Sequence, residues 1–171
     1  MTLPVQVTSE YSKKNLLEMK TVLHRKTARL CFILALSGML MALVGLTVTV
    51  GFMVYLGVFW CILFLCMRNH AARKSARNTV KSNVKTFGST VKTTLKFYNT
   101  MFTAHNETTG SDLRESYDEV RELLRTEHLI IILLADRVAL MADVSTLPEE
   151  EAAELWNLLR ENCRTAEVYE K

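Results

Sequence analysis

Residues Leu30 to Met67 read LCFILALSGMLMALVGLTVTVGFMVYLGVFWCILFLCM, 38 positions without a charge. As one helix this run would extend roughly 57 Å, nearly twice the hydrocarbon thickness of a bilayer, an excess that tilting does not absorb. Two arms fit better, 30–47 and 51–67. The break falls at TVTVG, where β-branched residues and Gly51 weaken a helix and the threonine hydroxyls can bond freed backbone groups. Each arm is near the lower limit for a span, so a hairpin that dips into one leaflet stands as the alternative. The run begins too far into the sequence, and is too long, for a secretory signal.

Charge is divided around this run. Residues 1–96 hold 14 Lys or Arg and two acids, while residues 97–171 hold seven Lys or Arg and 16 acids. The net charge of +3 thus conceals a +12 portion and a −9 portion. Cations flank the run on both sides, and the turn between the arms has none. Under the positive-inside rule both flanks, and both termini, are expected in the cytoplasm. Arg68, Arg73, Lys74 and Arg77, just beyond the second arm, are candidate contacts for anionic lipid headgroups. They lack the interleaved aromatics of a nucleic-acid surface, so no nucleic-acid partner is expected.

Within the arms, Ala35, Gly38, Ala42 and Gly45 recur at spacings of three, four and three. Gly57 and Cys61 form a small pair on the second arm. Such faces let helix backbones approach closely in lipid, either to close the hairpin or to join copies. No ionisable side chain lies inside the run, which disfavours a selective ion path but leaves open a hydrophobically gated pore of several copies.

Residues 1–29 are expected to form a basic amphipathic segment and residues 68–171 a helical cytosolic domain. Its helices are placed at about 68–104, 112–143 and 148–168. The first carries the seam Val80, Val84, Phe87 and Val91. The second carries Leu124, Ile131, Leu134 and Val138, with Glu127 as a misfit. Spacings alternating four and three suggest heptad packing. HNETTGSD, residues 105–112, is the expected turn between them. LIIILLA, residues 129–135, is apolar on every face and needs cover on several sides. The fold expected is therefore an all-α membrane protein, a two-span hairpin carrying an antiparallel, coiled-coil-like domain.

The hairpin with helical flanks resembles, in outline, the chlamydial inclusion-membrane proteins. It also resembles the small two-span effectors of bacterial nucleotide-sensing defence systems. Each resemblance implies a hairpin that holds helices beside a membrane; no residue motif carries a functional role across. No histidine of the four has a ligand partner at metal spacing, no CxxC pair occurs, and no phosphate-binding loop or nucleophile elbow is present. No enzyme activity, metal or cofactor is expected. The expected function is a non-enzymatic membrane anchor for a cytosolic platform that binds a protein partner, its own copies or a second membrane. An oligomeric pore or membrane-perturbing effector is the alternative.

Overall fold

A computed structural model describes residues 4–136 and 138–170. The chain separates into two compact units. One joins the N-terminal residues through Met19 to everything from Thr79 onward; the other is Lys20–Asn78. The first unit is therefore discontinuous in sequence, with the second inserted into it.

The first unit is built on two four-stranded sheets. VQVTSE forms β1, Val5–Glu10, with Val5, Val7 and Ser9 buried and the alternate residues exposed. This is the period of two of a half-buried strand. After the inserted unit come β2 (Lys92–Phe97), β3 (Met101–Asn106) and β4 (Ser111–Ser116), completing a sheet in the order β1-β2-β3-β4. Pairing is antiparallel throughout, and Val7 sits opposite Leu95 in the first pair. A 3-10 turn at Tyr117–Glu119 leads to β5 (Val120–Arg125), β6 (Leu129–Leu134) and β7 (Ala139–Asp143). Helix α4, Glu149–Asn162, then returns the chain to β8, Glu167–Glu170, which pairs in parallel with β5.

The two sheets and α4 share one core. Val7, Leu95, Phe97 and Phe102 come from the first sheet, Leu123, Ile130 and Ile132 from the second, and Leu155, Trp156 and Leu159 from α4. At the end of β7, the Asp143 amide donates to Ser9 Oγ of β1 at 2.7 Å. Helix α1, Lys13–Leu23, carries the buried Leu16 and Met19. Its Asn15 amide group donates to Asp143 at 2.9 Å, and the Glu18 carboxylate accepts from the His128 backbone amide at 3.2 Å. The edge strand β4 packs Leu113 against the core and carries Asp112, Arg114 and Glu115, charges that discourage edge-to-edge aggregation.

This architecture overturns the all-α expectation and its coiled-coil-like domain. Helix packing was expected from about 92 to 143, where six strands stand. The long helix α3, Gly51–Phe87, ends at Gly88, whose φ of +71° and amide bond to the Val84 carbonyl terminate it well before residue 104. LIIILL is apolar on every face because β6 is buried on both: Ile130 and Ile132 face the shared core, while Leu129 and Ile131 are buried on the opposite side. Two buried faces satisfy many spacing templates at once, including the heptad. HNETTGSD is a turn, but between strands. Asn106 Oδ1 accepts from the amides of Thr108 and Thr109, and Gly110 has a φ of +69°. Glu127 breaks no seam, because it stands at the β5–β6 turn with its side chain 86% exposed.

A core of this kind fixes the expected response to substitution. Leu123→Ala should destabilise the chain by about 2–5 kcal/mol, and Glu127→Leu should change it by less than about 0.5 kcal/mol. Urea unfolding of the full chain in detergent, followed by circular dichroism, measures both.

Candidate functional site

The inserted unit is a helical hairpin. Helix α2, Arg25–Thr47, is followed by a three-residue turn and then by α3. Thr49 takes a left-handed conformation, φ 58°, that helps reverse the chain. The Val50 amide donates back to the Gly45 carbonyl at 3.0 Å, and the Thr47 hydroxyl to the Val44 carbonyl at 2.8 Å. Ser37 likewise donates to the Leu34 carbonyl. The Ser37, Thr47 and Thr49 hydroxyls are thus bonded to backbone carbonyls within the run.

The buried residues of α2 are Cys31, Ala35, Gly38, Ala42 and Gly45. They form the inner face against α3. A Cβ added to Gly57 would lie 2.6 Å from both the Ala42 nitrogen and the Gly38 carbonyl oxygen. One added to Gly38 would meet the Cys61 nitrogen at 3.0 Å, and one on Gly45 the Val54 nitrogen at 2.9 Å. Backbones this close are open only to glycine. The six small residues singled out from sequence, Ala35, Gly38, Ala42, Gly45, Gly57 and Cys61, therefore stand where the two helices meet.

The outer face is the reverse. Leu36, Leu40, Leu43, Phe52, Tyr55, Phe59 and Ile62 are all exposed. Both helices are long and apolar enough to cross a bilayer by length and composition. Most of the residues in these apolar stretches are not buried. The same antiparallel register carries Arg68 over the Phe32 ring, 5.8 Å from its centre. Cations of both helices thereby gather at the hairpin's open end, where Arg68, Arg73, Lys74 and Arg77 are exposed.

The residues assigned to a helix seam do not form one. Val80, Val84 and Phe87 belong to the last turns of α3, and the latter two are exposed. Val91 is buried just before β2. Leu124 lies in β5, Ile131 and Leu134 lie in β6, and Val138, exposed, precedes β7. The sequence signal for strands was present in the alternation of VQVTSE and in the β-branched LIIILL.

The Tyr117 hydroxyl donates to the Tyr98 carbonyl at 2.7 Å, and burial raises its pKa. Burial, reinforced by the nearby Asp118 carboxylate, pushes the Cys163 thiol up to about 12. His105 and Asp112 face each other across β3 and β4 at 2.6 Å, with both side chains exposed. Among the described residues, no group of three or more His, Cys, Asp or Glu is placed to hold a metal ion.

No family model matches the sequence. No curated protein matches it either. Among solved structures, one similar chain belongs to the Spt16D–Pob3N heterodimer, with 10% identity and a TM-score of 0.35. The match covers 46% of this chain and 45% of that one, and a likeness of this size carries no functional meaning.

Two consequences are measurable. Gly57→Ala should destabilise the hairpin by about 1–3 kcal/mol through overpacking. Gly51→Ala, where an added Cβ meets nothing within 4 Å, should be neutral or slightly stabilising. Denaturation in mixed micelles compares them. Cys163 should resist a water-soluble maleimide at neutral pH until the chain is unfolded in urea. Its raised pKa means the folded state holds the thiol proton more tightly than the unfolded state. The stabilising contribution is present below pH 9 and is lost as pH rises toward about 12, so thermal stability should fall across that window.

Proposed function

We propose that this chain is a non-enzymatic membrane anchor. The hairpin spans the bilayer twice and holds the two-sheet domain at the cytoplasmic face, where the domain serves as a platform for a protein partner. One observation carries this reading. β1 precedes the hairpin, β2 follows it, and the two pair along six positions from Val5↔Phe97 to Glu10↔Lys92. Strands that hydrogen-bond to each other lie on one side of any membrane. An even number of crossings is therefore required between them, and the uncharged run supplies two arms of suitable length.

Three further features support it. The exposed apolar surface of both helices would be costly in water and is compatible with lipid. The cations of both flanks collect at the end opposite the uncharged turn, as the positive-inside rule asks. The small-residue faces that could have assembled a pore from several copies are already occupied in closing one hairpin, which favours an anchor over the pore alternative. The helical platform expected from sequence is replaced here by the two-sheet domain.

Glycosylation mapping tests the topology. Asn106-Glu107-Thr108 matches the acceptor pattern and sits at the β3–β4 turn. Expressed with ER microsomes, the chain should resist carbonate extraction and leave Asn106 bare. A hydrophilic acceptor loop inserted after Thr49 should be glycosylated. A glycan on Asn106, or release by carbonate, would contradict the reading. An unmodified inserted loop would replace two crossings with a hairpin confined to one leaflet.

A further inference from the structure

We propose that the cationic face at the open end of the hairpin is a binding site for anionic phospholipid headgroups. This rests on the membrane reading above and names the ligand of that same region. Between Glu18 and Glu107 the sequence contains no Asp or Glu at all. The α3 cations Arg68, Arg73, Lys74 and Arg77 therefore have no carboxylate in the sequence of their own unit. Antiparallel packing brings Arg25 and Arg29 of α2 to the same end as Arg68, Arg73, Lys74 and Arg77 of α3.

On α3 the arrangement is one-sided. Ala72 and Ala76 are buried, and Arg73, Lys74 and Arg77 are exposed. Arg73 and Arg77 stand one turn apart with Lys74 beside them. These three begin six residues after Met67, the last residue of the uncharged run. Along a helix that places them roughly 9–15 Å beyond the apolar boundary, a few ångström to about 10 Å outside a headgroup layer about 5–8 Å thick, a separation comparable with the Debye length of about 8 Å. Five of the eight cations in residues 20–78 are Arg, whose planar fork binds phosphate oxygens bidentately. Continuity with the apolar run favours lipid phosphate over nucleic acid.

Trp60 provides the reporter. It lies on the outer surface of α3 with 40% exposure, whereas Trp156 is 2% exposed in the core of the sheet domain. The purified full chain is reconstituted into phosphatidylcholine vesicles containing brominated phosphatidylglycerol or brominated phosphatidylcholine, and Trp60 quenching gives the relative association of each lipid. At low salt, brominated phosphatidylglycerol should be favoured by about three- to tenfold, given an attraction of about 1 kcal/mol per surface cation. The preference should fall toward one in the triple variant Arg73→Gln, Lys74→Gln, Arg77→Gln. Circular dichroism and unchanged Trp156 emission establish that this variant is folded. Equal quenching by both lipids in the wild type, or an undiminished preference in the folded variant, overturns the proposal while leaving the anchor intact. Loss of the preference to a short RNA or DNA duplex at matched phosphate concentration assigns the face to nucleic acid instead. Failure of either lipid to quench Trp60 overturns the anchor itself.

Discussion

The pairing of β1 with β2 is the constraint on which the rest of this structure depends. Thr8 and Thr94 lie 86 residues apart in sequence, yet their hydroxyl oxygens are 2.9 Å apart. Thr94 donates its own proton to Glu107 at 2.7 Å, so the Thr8 hydroxyl is the donor between them. Closing a flexible insertion of this length costs about 4 kcal/mol in chain entropy. A helical hairpin lowers that cost, because it folds locally and returns its two ends to one place. The close backbone approach at Gly38, Gly45 and Gly57 is thus more than a packing detail. It prepares the ends that the first sheet must bring together.

The same constraint links fold to function. A domain interrupted between two adjacent strands is indifferent to what the insertion does, provided that both ends return. An apolar hairpin meets that condition, and it adds an exposed apolar surface without disturbing the core of Leu95, Phe102, Leu123 and Ile132. Electrostatics follow the same division. The acid-free stretch from Met19 to Asn106 covers the insertion and its approaches, while the acids of β4 to β8 and α4 lie in the remainder of the sheet domain.

Legibility in the sequence followed physical distinctness. The arms, their turn and their small faces could be read because a long uncharged run has few alternative uses and glycine at helical spacing has a specific consequence. The sheets could not be read so directly. β6 is buried on both faces, so its period of two is invisible in LIIILL. β1 lies across a large insertion from its partner, so VQVTSE had no neighbouring strand to suggest a hairpin. The seam from Leu124 to Val138 matched a heptad because apolar residues were abundant, while Gly88 and the Asn106–Gly110 turn marked where helices stop and strands reverse.

A disulfide between the two distant strands tests the central claim most directly. In the full chain reconstituted in vesicles, Thr8→Cys and Thr94→Cys together place two thiols where the paired hydroxyls now touch. The structure predicts that mild oxidation links them within one chain. Proteolysis in the intervening segment would then release fragments that remain joined until reduced, whereas each single variant would yield separate fragments. If the folded double variant forms no bond, or forms only bonds between chains, β1 and β2 are not neighbours and the inserted-hairpin architecture is wrong.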